Sequence, residues 1–508
     1  MSQKLAIAIS GAVSLGSYEA GVMYEILEAI RQHNQNLKSE EADLKIEVDV
    51  ITGASAGAMT ACILAQKLMF EGDRLKDPFD NDLYNPWVTE VDIDGLIKFD
   101  ENPNFSILSS EEIQRIGKKY LLSRYLDPAS GQPLEINKHP AVAPELYLGL
   151  AMANLNGVDY SREIVSAIDK EPFTYTRFKD RYLAKIQTQN TDKEYEEYSP
   201  GDIKIVTDDS VSWEFIEKLA RSSGAFPFAF RPVAVERKGR EYPTNSTFKG
   251  EAEKIFTYTD GGVFENEPLG MAQELASRID GEPSEDSRFY LFVAPKPKES
   301  SSNQINEETA HLLSTGITLI GAIFNQSRFR DWIVVTDPQN IKSEPQPQNI
   351  YSVTAEDKDL IGEDISAFVG FFEEDYRKYD YFTGRKKAVA FLRQLQQTSK
   401  AESLKLSKID LTDRSPTLGE TTRSRQKLDE LAGCPNEALN EVDRQTRKRI
   451  KKLLLDRLNR ILDLVYEDRE QETPWWIRLW RRISPIRWIV KKALNIFLSG
   501  KIDELLKL

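Results

Sequence analysis

The chain has 508 residues, 40% of them hydrophobic and 29% charged, which describes a globular protein long enough for one sizeable α/β domain with an appendage. A formal net charge of −14 opposes a nucleic-acid-binding body, and no nucleic-acid partner is expected. Two cysteines, Cys62 and Cys434, cannot make a disulfide framework, and a reducing compartment fits best.

In chain order, Leu5 to Ile9 reads as a buried strand, too short an apolar run for a secretion signal. Neither secretion nor a membrane-spanning helix is expected. The strand runs into the small-residue loop Ser10-Gly11-Ala12-Val13-Ser14-Leu15-Gly16-Ser17 and then into a helical pattern from Tyr18 to Ile30. Such a loop between a strand and a helix suits backbone donors that stabilise an oxyanion. The alternation from Ile46 to Ile51 reads as a second strand, followed by Gly53-Ala54-Ser55-Ala56-Gly57 and an apolar helical run from Ala58 to Ala65. Ser55 therefore sits at a strand-to-helix turn, where strain exposes the hydroxyl and the helix N-terminus presents free N–H groups. Small residues also serve tight packing at such turns, so this motif alone does not decide the matter. Cys62, one turn into the apolar run, reads as a packed thiol.

Residues 70–200 are richer in Asp, Pro, Asn and Tyr and read as insertions around the site, surface loops by default and a lid if functional. Ile203 to Val206, Phe289 to Val293 and Trp332 to Val335 read as further strands, and the alternation with helices predicts a layered α/β sheet. Between them the apolar Ile255-Phe256-Thr257-Tyr258-Thr259 leads into Asp260-Gly261-Gly262, which by itself is ordinary turn chemistry. A soft boundary falls after residue 398. We expect a main domain at 1–398, a polar linker at 399–447 and a helical extension at 448–508, with Leu453, Leu454, Leu458, Ile461, Leu462 and Val465 as an apolar stripe. In the tail, Trp475, Trp476, Trp480 and Trp488 interleave with Arg478, Arg481, Arg482, Arg487, Lys491 and Lys492. This composition suits either the surface of an anionic membrane or docking on the acidic body of the protein.

Four motifs carry a family resemblance: Gly11 to Gly16 with Tyr18-Glu19-Ala20-Gly21-Val22, Gly53 to Gly57, Arg221-Ser222-Ser223-Gly224-Ala225-Phe226-Pro227, and Asp260-Gly261-Gly262 through Pro268. In these, and in their order, the chain resembles the patatin-like phospholipases over about residues 4–300. Gly370-Phe371-Phe372 through Asp380-Tyr381 and Gly384-Arg385 resembles a segment of longer bacterial patatin-related proteins. The resemblance implies a three-layer α/β patatin-like sheet flanked by helices, here with a helical C-terminal extension. It also implies a Ser-Asp dyad, with Ser55 as nucleophile and Asp260 as base. Gly11, Ala12, Val13 and Ala56 then supply the oxyanion hole, and Gly16, Gly53, Gly57, Gly261 and Gly262 support the motifs.

The implied reaction is phospholipase A-type hydrolysis of acyl esters through an acyl-enzyme, with a phospholipid or similar lipid as partner and neither metal nor organic cofactor required. From the cysteine count and the absence of a secretion signal the expected location is the cytoplasm, and the membrane reading of the tail adds peripheral contact at the inner membrane face through Trp475, Trp476, Trp480, Arg481, Arg482 and Trp488. The loop departs from its relatives, which carry a richer glycine run and an Arg or Lys where this chain has Ala12, Val13 and Leu15. A β-branched Val13 resists positive φ, which keeps a weakened, lipid-binding version of the fold open as an alternative. A second alternative is a Ser-Asp-His hydrolase using Ser55, Asp260 and His311, although His311 lies in the helical-looking Ala310-His311-Leu312-Leu313.

Overall fold

The computed structural model describes residues 2–98, 106–125, 135–162, 173–188, 198–199, 203–280, 288–295, 349–356, 358–362, 367–397, 405–434, 437–468, 499–500 and 502–503. The strands are β1 Gln3–Ile9, β2 Ile46–Gly53, β3 Val142–Arg162, β4 Phe173–Ile186, β5 Tyr198–Ser199, β6 Ile203–Val206, β7 Val233–Lys238, β8 Glu253–Asp260, β9 Arg288–Ala294 and β10 Ile350–Thr354. The helices are α1 Gly16–Asn36, α2 Ala56–Phe70, α3 Ile93–Leu96, α4 Ser110–Leu122, α5 Ser210–Ser223, α6 Leu269–Asp280, α7 Glu374–Gln397, α8 Arg425–Gly433, α9 Ala438–Glu441 and α10 Arg444–Asp468.

The strands form one mixed sheet in the order β10-β9-β1-β2-β3-β4-β6-β5, with β8 on β3 and β7 on β8. From β10 to β3 all neighbours are parallel. Parallel strands need crossovers that cover both faces, and β1 and β9 accordingly carry continuous apolar runs, Leu5 to Ile9 and Phe289 to Ala294. In β1, Leu5, Ile7 and Ile9 join the core under α1 and α2, whereas Ala6 and Ala8 face Leu269, Ala272 and Leu275 of α6 on the opposite side. This period-two division makes the three layers. One charge inside the sheet is neutralised in place: Arg288 of β9 donates to both oxygens of Asp49 on β2, at 2.6 and 2.7 Å.

Strand β3, absent from the sequence reading, organises the site. Its first half runs parallel to β2 as far as the Gly53–Leu150 pair, and beyond that point β8 takes the place of β2, antiparallel, with Asp260 opposite Met152. Along its other edge β3 pairs with β4 down to Arg162. The region read as loops thus contains the longest strand of the sheet.

The C-terminal part packs on the same body. The stretch expected as a polar linker contributes Leu406, Ile409 and Leu411 to the main core, and Leu428, Leu431, Leu439 and Val442 to a second cluster with Tyr376 and Tyr379. Its composition is polar, but these seven apolar residues are buried. Of the stripe on α10, Leu453 and Leu454 pack against the main core, and Arg457 Nε donates to the Ser106 carbonyl at 2.9 Å. The expected strand Trp332 to Val335 lies outside the described residues. No helix among the described residues is long and apolar enough to cross a membrane.

Helices α1 and α7 cross closely, because Gly21 faces the Tyr381 carbonyl and Gly384 faces the Tyr18 carbonyl with no room for a methyl group. Replacing Gly21 with Ala drives the new Cβ into backbone that cannot move aside. Overpacking of this kind costs about 1–3 kcal/mol. Thermal unfolding of Gly21→Ala is expected at a lower temperature than wild type, and an unchanged melting temperature would contradict this crossing.

Candidate active site

The turn between β2 and α2 holds Ser55 at φ 53 and ψ −124, a conformation that costs a non-glycine residue about 1–3 kcal/mol. The tightness explains its small neighbours: a Cβ on Gly57 would collide with the Ser10 and Ile9 carbonyls at the end of β1. The Ser55 amide donates to Ser223 Oγ at 3.0 Å, and the Ser223 hydroxyl donates in turn to the Ala151 carbonyl of β3 at 2.7 Å. Gly53 closes β2, and Ala56 and Gly57 open α2.

Ser55 Oγ donates to Asp260 Oδ2 at 2.6 Å, joining residues 205 positions apart in the chain. Asp260 is fully buried at the end of β8, and its other oxygen accepts from the Gly262 amide at 2.7 Å. Its own amide donates to the Ala225 carbonyl at 3.0 Å, so the Ser223 to Phe226 segment braces both members of the pair. Gly261 lies so close to the Ala151 carbonyl that a side chain there would collide with it. Burial pushes the Asp260 carboxyl up to about 7, although the bonds from Ser55 and Gly262 favour its charged form.

The loop after β1 lies against this pair. A Cβ on Gly11 would come within 3.0 Å of Ser55 Cβ. The amide of Gly11, an expected oxyanion donor, donates to the Asn266 carbonyl at 3.1 Å. The amides of Ala12, Val13 and Ala56 have no hydrogen-bond partner among the described residues. Val13 adopts φ 54, so the β-branched residue takes the left-handed turn that the sequence argument held it would resist. Gly16 follows at the first position of α1.

Ser223 and Asn266 lie within the sequence motifs, but the sequence alone assigns neither a role. Ser223 directly precedes Gly224 and Asn266 stands two positions before Pro268, each a small polar residue inside a motif, and that placement is the available signal. His311 and the tail residues Trp475, Trp476, Trp480, Arg481, Arg482 and Trp488 lie outside the described residues.

The Asp260 shift carries a consequence for stability. Burial favours the neutral acid, so the folded protein holds a proton that the unfolded chain releases between its ordinary value near 4 and about 7. Stability contributed by this group is therefore lost as pH rises through that window. Asp260→Asn, which cannot ionise, is expected to melt higher relative to wild type at pH 8 than at pH 5. Equal differences at the two pH values would contradict a raised Asp260.

Comparison with known proteins identifies the family. The model of the patatin-like phospholipase family matches residues 7–272, slightly more than half of the chain. An uncharacterized protein, y4iI, of Sinorhizobium fredii (strain NBRC 101917 / NGR234) is 23% identical over 477 aligned positions, covering 77% of this chain. The alignment spans 64% of that protein's own length, just under two thirds. With the match running from β1 through the Asp260 turn into α6, the chain belongs to the patatin-like phospholipase family.

Proposed function

We propose that this protein is a lipid acyl hydrolase of phospholipase A type, with Ser55 as nucleophile and Asp260 as its sole general base. The observation that carries the reading is the buried 2.6 Å hydrogen bond between them at a strained strand-to-helix turn. Membership of the patatin-like phospholipase family supports a lipid ester as the substrate.

A base with a pKa near the working pH is well matched to its task, and about 7 is far better suited than the ordinary value of an aspartate. The Ser55 proton passes to Asp260 as Oγ bonds to the ester carbonyl carbon, and the carbonyl electron pair moves onto oxygen. The free amides of Ala12, Val13 and Ala56 receive that oxyanion, helped by the positive end of α2. Collapse of the adduct breaks the bond to the alcohol, which leaves with the proton from Asp260. Water then gives its proton to Asp260 and attacks the acyl-enzyme. Fatty acid departs as Ser55 recovers the proton.

An apolar slot supports a lipid chain as the acyl part. It is lined by Met59 and Ile63 of α2, Trp87 and Val91 of the following segment, and Ile113 and Ile116 of α4. The Met59 amide bonds to the Ser55 carbonyl, so one wall of the slot stands one helical turn from the nucleophile. Its open volume is only ≈ 50 Å³, and an entering chain must displace side chains, which the flexible Met59 permits.

Ser55→Ala is expected to lower fatty-acid release by more than about 1,000-fold with unchanged melting. For wild type, kcat/KM should rise with pH through a single ionisation near 7, because protonated Asp260 cannot accept the Ser55 proton, and then level off. His311→Ala should retain turnover. A pH profile without that step, or loss of turnover in His311→Ala with folding intact, contradicts the dyad. Met59→Trp narrows the slot and should shift preference toward shorter acyl chains on a panel of p-nitrophenyl esters, and an unmoved preference places the acyl site elsewhere.

A further inference from the structure

The loop that carries the free amides is strained, and its support comes from residues far beyond the family-matched 7–272. Val13 at φ 54 is followed by Ser14, whose hydroxyl donates to the carbonyl of Ala367. Ala367 is itself left-handed at φ 68. Gly370 lies close enough that a Cβ there would stand 2.6 Å from Ser14 Oγ, and a Cβ on Gly362 would stand 2.8 Å from Leu15 Cδ2. The arm that supplies these contacts is fixed by two buried charges of α7. Asp380, fully buried, accepts from the amides of Ile361 and Gly362 at 2.8 and 2.9 Å. Arg377, also buried, donates to the carbonyls of Gly370 and Phe371 at 2.9 and 3.2 Å, and to that of Val88 at 2.8 Å.

The same arm reaches the other side of the site. Phe368, next to Ala367, meets Phe226 edge to face at 6.0 Å, and Phe226 follows the Ala225 carbonyl that receives the Asp260 amide. A carboxylate and a guanidinium buried to hold backbone in place are expensive to desolvate, and bonding of each to at least two backbone groups offsets that cost. Neither Asp380 nor Arg377 lies within the matched region or touches the dyad in any contact described above. Between them they hold Gly362 and Gly370, which stand against Leu15 and Ser14.

We propose that Ser14 is a positioning residue for the oxyanion site, its hydroxyl tied to the Ala367 carbonyl so that an arm anchored by Asp380 and Arg377 holds Val13 in its left-handed turn. The proposal rests on the reading of this loop as oxyanion donor. Free of its anchor, the Val13 turn relaxes toward ordinary φ, and the amides of Ala12 and Val13 move off the position at which charge develops. Binding of the ground-state ester depends little on those amides. The chemical step depends on them strongly.

The test compares wild type, Ser14→Ala and Asp380→Asn as full-length proteins, using a p-nitrophenyl ester and a trifluoromethyl ketone of matched chain length that forms a tetrahedral adduct with a serine. Ser14→Ala is expected to lower kcat by about 10- to 100-fold, to weaken the trifluoromethyl ketone by a similar factor, and to change KM by less than about 3-fold. Asp380→Asn keeps one acceptor and should lose kcat by a smaller factor in the same pattern. Unchanged kcat and inhibitor affinity in Ser14→Ala overturn the proposal. So does a loss confined to melting temperature, with turnover per active site intact, which marks the contact as purely structural. If wild type itself neither hydrolyses the ester nor binds the ketone, the hydrolase reading falls and this inference with it. Wild-type turnover with an unaffected Ser14→Ala removes the positioning role alone.

Discussion

Three consecutive residues of β3 are the constraint on which the site depends. Leu150 pairs with Gly53, the Ala151 carbonyl accepts from Ser223 and abuts Gly261, and Met152 pairs with Asp260. At about 3.3 Å per residue, the ends of β2 and β8 are brought within about 7 Å along one strand. Sheet register thus converts a separation of 205 residues into a hydrogen bond. A slip of one residue on either edge of β3 would turn side chains to the wrong face and separate serine from aspartate.

The site is costly to maintain. Ser55, Val13 and Ala367 all occupy positive φ, each at about 1–3 kcal/mol, and Asp260 is held without solvent. Such strain persists only where surrounding structure over-determines it. Here the ties are the amide of Ser55 on Ser223, the carboxylate of Asp260 on Gly262, and the hydroxyl of Ser14 on Ala367. The stability that offsets them comes from the double-faced core of the parallel sheet and from the close crossing of α1 with α7. A raised carboxyl pKa belongs to the same economy: burial that costs stability brings the Asp260 carboxyl up to about 7, the range that its proposed role as base requires.

Much of this was legible in the sequence where the signal was local. The apolar runs of β1 and β2, the small residues of the Ser55 turn and the Asp-Gly-Gly stop after β8 each declare themselves within ten residues. Strand β3 did not. Pro144, Gly149 and the Asn154-Leu155-Asn156-Gly157 stretch, where pairing with β4 shifts register, break its alternation into pieces that resemble loops. The Gly370 to Arg385 segment was noticed as a motif, but its work lies in contacts to Ser14, Tyr18 and Gly21, some 350 residues earlier, which no local pattern encodes. The prediction for Val13 also failed. Backbone preference argues against positive φ, yet the fold places Val13 at φ 54.

The central claim is that register on β3 makes Ser55 a nucleophile activated by Asp260. Covalent labelling with a fluorophosphonate, followed by mapping of the modified peptide in wild type and in Asp260→Asn, tests it most directly. The account predicts a single adduct on Ser55 in wild type, forming faster as pH rises through about 7, and strongly slowed labelling of the same residue in the variant. An adduct on another serine, or labelling of Ser55 at an equal rate without the Asp260 carboxylate, would contradict it.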